Sequence, residues 1–102
     1  MAMLHIVNKS PFERNALDSC VRLATAGAAV LFIEDGVIGA LKNTANSHKV
    51  SDAMSNLKFY VLGPDLKARG MSEDRLIDGV SVVDYGGFVE LVTGHDKVQS
   101  WL

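Results

Sequence analysis

Apolar and polar positions along this chain follow two periods, and their order is the main structural information in it. Leu4-His5-Ile6-Val7 alternates and is then broken by Asn8-Lys9-Ser10-Pro11, which predicts a short strand entering a loop. Over residues 12–26 the apolar positions Leu17, Cys20, Val21 and Ala24 recur at the spacing of one helix face, and Gly27 is placed to end that helix. Pro11 suits a first helical turn, where its missing N–H costs nothing. Ala28-Ala29-Val30-Leu31-Phe32-Ile33 is a continuous apolar run, the pattern of a central parallel strand buried on both faces. A short helix is predicted over 37–41, an irregular stretch over 43–47 and a weak helix over 50–57. Lys58-Phe59-Tyr60-Val61-Leu62 reads as a third strand ended by Gly63-Pro64, followed by one helical turn over 65–69. Ser72 is suited to cap a further turn, 80–83 forms a fourth strand, 88–93 a helix, and 98–102 an edge strand or docking tail.

Strands alternating with helices imply an α/β fold. It is a three-layer α/β/α sandwich on a mainly parallel sheet of four or five strands, with right-handed crossovers placing helices on both faces. No repeat, linker or low-complexity segment divides it, so residues 3–102 are read as a single domain. Met1 and Ala2 precede a second methionine and are left out of the fold reasoning.

Composition narrows the classes. The chain has 102 residues, of which 48 % are hydrophobic. A domain of this size buries only about 60 to 65 % of the surface its unfolded chain exposes. Part of the apolar surface therefore calls for cover from partner subunits. The formal net charge is -2 and the pI about 5.8, without the basic stripe that a nucleic-acid backbone attracts, so no direct nucleic-acid binding is expected. No run of 18 apolar residues is present and no basic segment precedes an apolar one at the N-terminus; no membrane association and a reduced, cytoplasmic setting are the expectations.

Candidate chemistry is sparse. Loops at the carboxyl ends of the strands, after Val7, Ile33, Leu62 and Val83, are where ligands bind in such sheets. Gly36-Val37-Ile38-Gly39 lacks the third glycine of a dinucleotide fingerprint and no phosphate-binding Gly-Lys-Ser/Thr is present, so no cofactor is indicated. His5, His48 and His95 share no i, i+4 spacing, which indicates no metal site, and His5 is read as a hydrogen-bonded core residue. Ser19 has neither a neighbouring histidine nor a nucleophile elbow. Glu34-Asp35 and Asp84 fall at strand ends, where a carboxylate more often caps a helix or meets solvent than acts as an acid or base. Cys20 is the sole cysteine, and a single thiol can act only as a lone nucleophile or sulfur carrier. Its helical phase puts it on or beside the apolar stripe, away from the helix N-terminus that would favour a thiolate; Arg14 and Arg22 are the nearby cations in sequence.

Four segments together resemble the DsrH/TusB family of sulfur-relay proteins over nearly the whole chain. They are Met3-Leu4-His5-Ile6-Val7-Asn8-Lys9-Ser10-Pro11-Phe12, Glu34-Asp35-Gly36-Val37, Asp65-Leu66-Lys67-Ala68-Arg69-Gly70, and Asp84-Tyr85-Gly86-Gly87-Phe88-Val89-Glu90-Leu91 with Trp101. The resemblance implies a small α/β subunit of a cytoplasmic heterohexamer of three related chains. A cysteine in the first helix resembles DsrH, the subunit that works with DsrE-like and DsrF-like partners and a DsrC-like sulfur carrier in dissimilatory sulfur oxidation. On that reading Cys20 is a persulfide-carrying site in a non-principal subunit of a sulfurtransferase complex, since the principal sulfur-accepting cysteine belongs to the DsrE-type chain. The alternative is a TusB-like structural subunit of the relay for 2-thiouridine in tRNA, without a reactive cysteine of its own.

Overall fold

The computed structural model describes residues 3–13 and 15–101; Met1, Ala2, Arg14 and Leu102 lie outside the described residues. Five strands, β1 (Met3–Val7), β2 (Ala29–Phe32), β3 (Lys58–Leu62), β4 (Ser81–Val83) and β5 (Lys97–Trp101), form one sheet in the order β4-β3-β2-β1-β5. All four pairings are parallel.

That order decides which face each crossover covers. From β1 to β4 the chain steps one strand at a time in one direction, so right-handed connections stack their helices on one face. Those are α1 (Ala16–Leu23), a 3-10 helix (Glu34–Ala40), α2 (Ser47–Ala53) and α3 (Gly63–Ala68). From β4 the chain returns across the sheet to pair β5 with β1, and the reversal puts α4 (Tyr85–Thr93) on the opposite face.

Alternation along β1 divides the core accordingly. Val7 joins Leu17, Val30, Phe32, Val37, Val61 and Leu66 in the larger core beneath α1 to α3. Leu4 joins Ala29 and Leu31 on the other face, where Ile6, Tyr60, Phe88 and Leu91 pack around them. β2 is buried along its whole length, as its unbroken apolar run requires of a central strand covered on both sides. Phe32 and Phe59 stack across β2 and β3 with centroids 5.9 Å apart and planes 10° from parallel, a pairing worth about 0.5–1.5 kcal/mol beyond the area it buries. The edges differ in kind: β4 has three residues, whereas β5 carries Lys97, Gln99 and Ser100 toward solvent, and short or charged strands blunt an edge against further pairing.

Element boundaries moved where local hydrogen bonding outweighed periodicity. The helix expected over 37–41 starts at Glu34 as a 3-10 turn, because Glu34 takes a left-handed φ of 50° and swings the chain back under Val7. The helix expected over 50–57 begins at Ser47, whose Oγ donates to the Leu41 carbonyl at 2.9 Å while accepting the Thr44 N–H at 2.8 Å. Gly63 and Pro64 do not simply end β3 but open α3, the first-turn role that proline's fixed φ favours. The first helix is shorter than expected, Ala16–Leu23 within 12–26.

Candidate functional site

Cys20 sits in the second turn of an eight-residue helix and is fully buried, in the same core as Leu17, Val30 and Phe32. Leu17 and Cys20 are three positions apart, close to one helical turn, so both side chains point down onto the sheet. Burial alone pushes the Cys20 thiol up to about 12. That disfavours the thiolate near neutral pH, and the thiolate is the form that attacks or accepts sulfur. A cleft of about 370 Å³ opens beside α1, and its lining includes Val21 and Ala24 but not Cys20. The charged residues of α1 face away: Arg22 is exposed and Asp18 pairs with Lys49 of α2 at 2.9 Å. Arg14, the other cation near Cys20 in sequence, lies outside the described residues.

The carboxyl edge of the sheet gathers most of the acidic positions singled out in the sequence, and it uses them structurally. Asp65 Oδ2 accepts the Glu34 N–H at 2.7 Å, fixing the strained turn after β2 to the first turn of α3. Asp35 pairs with Arg69 at 3.0 Å. Gly36 lies against β1 so closely that a Cβ there would overlap the Val7 carbonyl oxygen, so only glycine fits. Of the Glu34-Asp35 pair, Asp35 is thus ion-paired, and Glu34 is tied in through its backbone N–H rather than its carboxylate. Asp84 caps α4, its Oδ1 accepting the Gly87 N–H at 2.8 Å. These interactions involve residues of all four segments that carry the family resemblance. Asp65 and Arg69 had no role assigned from sequence, because partners 31 and 34 residues away leave no periodic trace.

His5 is buried and hydrogen-bonded to Trp101, a core role in line with the sequence reading. His48 is exposed on α2, and His95 Nδ1 donates to the Leu91 carbonyl at 2.6 Å. Among the described residues no helix is long and apolar enough to cross a membrane.

One surface stands out that motif reasoning did not single out. Tyr85 and Val89 on α4 are 60 and 61 % exposed, and Val92 joins them at the same helical spacing. Phe88 and Leu91 of the same helix face the sheet. A helix apolar on both sides is normally covered on both sides. The signal was available in Tyr85-Gly86-Gly87-Phe88-Val89-Glu90-Leu91-Val92, which has a single charge in eight residues.

Comparison with known proteins agrees with this architecture. Residues 9–98 match a family model described as DsrH like protein. Protein TusB of Pectobacterium parmentieri is 36 % identical over 97 % of this chain and all of its own length. Protein TusB of Erwinia tasmaniensis is 38 % identical and that of Buchnera aphidicola 33 %, each with the same coverage. Among solved structures, the YchN protein of E. coli superimposes with a TM-score of 0.80 over 98 % of this chain and 99 % of its own, at 21 % identity, which speaks for the fold alone. A protein of unknown function from Methanobacterium thermoautotrophicum superimposes with a TM-score of 0.74 at 25 % identity, covering 96 % of each chain. With full-length relatives above 30 % identity and the parallel sheet they call for, this chain belongs to the DsrH/TusB family of sulfur-relay proteins.

Proposed function

We propose that this chain is a TusB-like subunit of the cytoplasmic relay that supplies sulfur for 2-thiouridine in tRNA, and that it serves as a structural and docking subunit while a sibling chain carries the persulfide. The observation that carries this reading is the position of Cys20: a fully buried thiol whose pKa is raised to about 12 is poorly suited to accept sulfane sulfur. The TusB relatives, matched end to end, support the same branch. The apolar outer stripe of α4 is suited to meet a sibling subunit, and the net charge of -2 favours tRNA contact through a partner rather than through this chain. The deciding experiment is complementation of a bacterium lacking its own TusB, with 2-thiouridine in tRNA measured by mass spectrometry. The native chain and Cys20→Ala are both expected to restore the modification. Restoration by the native chain but not by a folded Cys20→Ala defeats the structural reading.

A second reading is a DsrH-like subunit in dissimilatory sulfur oxidation, with DsrE-like and DsrF-like siblings and a DsrC-like carrier. Its support is the presence of Cys20 in the first helix and the description of the matching family. It requires α1 to open in the assembled complex, so that the Cys20 thiolate takes the outer sulfur of a carrier persulfide and the carrier leaves as its thiolate. One sulfur atom added to Cys20 in the loaded complex favours it; an unmodified Cys20 beside a loaded sibling cysteine excludes it.

A further inference from the structure

His5 lies in the middle of β1 on the face covered by α1 and is 3 % exposed. Its ring meets the indole of Trp101, the last residue of β5, with centroids 6.0 Å apart and planes tilted by 35°. Trp101 Nε1–H donates to His5 Nδ1 at 3.0 Å. An indole nitrogen can only donate, so Nδ1 is the bare acceptor and the single ring proton is on Nε2. Nε2 is itself buried and has no hydrogen-bond partner in the structure. The ring therefore already holds one unsatisfied N–H, and a second proton has to enter at Nδ1, where the Trp101 N–H is pointed.

The strand this bond secures is paired with β1 along all five of its residues, but Trp101 is its one side chain that is not exposed. β5 is an edge strand, hydrogen-bonded to β1 alone. Residues Lys97, Val98, Gln99 and Ser100 are exposed, and Trp101 alone is partly buried, against the core beneath α1. Among the described residues, those flanking His5 in register carry no negative charge. Val30 of β2 and Gln99 of β5 flank it in register. Lys97, on the same face of β5, brings like charge. From α1 the core side presents Leu17 and the Cys20 thiol, kept neutral by burial, while Asp18 and Arg22 are exposed and Asp18 is engaged by Lys49. Consistent with this, burial lowers the His5 pKa.

We propose that the Trp101–His5 hydrogen bond is a proton-released latch on the last strand. Neutral His5 holds the indole in place, and a proton taken from solvent at Nδ1 turns acceptor into donor, unseats Trp101 and frays β5 from its carboxyl end, uncovering the outer edge of β1. This concerns how the sheet edge opens and is independent of which relay the chain serves.

Trp101 is the sole tryptophan of the chain, so its emission reports the latch directly. The full chain is titrated from about pH 7.5 to about pH 4.5, across the range in which histidine changes charge, with helical circular dichroism followed in parallel. The emission maximum is expected to shift to the red with a midpoint below the unperturbed 6.5 of histidine while the helical signal holds. In the linked regime the opened fraction rises about tenfold per pH unit. His5→Gln offers an amide oxygen to the indole and does not titrate, so its emission is expected to stay constant. An equal shift in His5→Gln, or emission that moves only together with loss of the helical signal, overturns the latch. If His5→Gln does not fold, hydrogen exchange of the native chain decides. Amides of β5 must gain in exchange rate relative to those of β3 at matched pH on acidification, and a constant ratio overturns the proposal.

Discussion

Gly36 packs directly beneath the carbonyl of Val7, and the two backbones are so close that no side chain fits between them. The contact joins the end of β1 to the 3-10 turn after β2, and Ile33 N–H donates to the same carbonyl at 3.0 Å. Gly36→Ala is therefore expected to destabilise the fold by about 1–3 kcal/mol, the range for overpacking a tight site. A urea titration checks it: the midpoint should fall with the slope unchanged. A midpoint equal to that of the native chain would mean that the turn yields without cost.

Cys20 is expected to behave as a packing group in the isolated subunit. Its alkylation at mildly alkaline pH should be slow in the native protein and accelerate in proportion to unfolding as denaturant is added. Cys20→Ser, which buries a hydroxyl in the place of a thiol, should cost about 1–3 kcal/mol, and Cys20→Ala less. Rapid labelling of the native chain, at the rate of a free thiol, contradicts this.

The outer face of α4 predicts a separation of stability from assembly. Val89→Glu replaces an exposed valine, so the melting transition of the isolated chain should change by no more than about 0.5 kcal/mol, the usual scale for a surface substitution. Co-purification with sibling subunits should be lost. Undiminished co-purification, measured by size exclusion with mass analysis, would move the interface elsewhere.

His5 predicts the sign of the acid response. Its folded-state pKa is lowered by burial while the unfolded chain keeps the ordinary 6.5, so the unfolded state binds the proton first. The contribution of neutral His5 is complete above pH 6.5 and is lost as pH falls below it, by at most about 1.4 kcal/mol per pH unit. Urea midpoints at neutral and mildly acid pH should fall further for the native chain than for His5→Gln. Equal falls would assign the acid sensitivity to other groups.

The fold class was legible because it depends on local pattern. The unbroken apolar run from Ala28 to Ile33 suited an interior strand. The helical phase of Leu17, Cys20, Val21 and Ala24 set which side of α1 turns inward before any partner was known. Right-handed crossovers then limited how the strands could be ordered. The segments that carry the family resemblance were also visible, but not what most of their residues do, since apart from the Asp84 cap they act through residues distant in the chain. Asp65 matters because it reaches Glu34, Gly36 because Val7 lies above it, and Trp101 because His5, 96 residues earlier, offers it an acceptor.

Tertiary structure alone decided the state of Cys20. Sequence places a thiol on an apolar stripe; whether that stripe is sealed depends on how α1 settles against β1 and α2. Once it is sealed, the loss of solvent sets the thiol's acidity. The same holds for α4, whose apolar composition was plain in the chain. Only the reversal of direction at β5 put that helix by itself on one face of the sheet, with its outer side left uncovered.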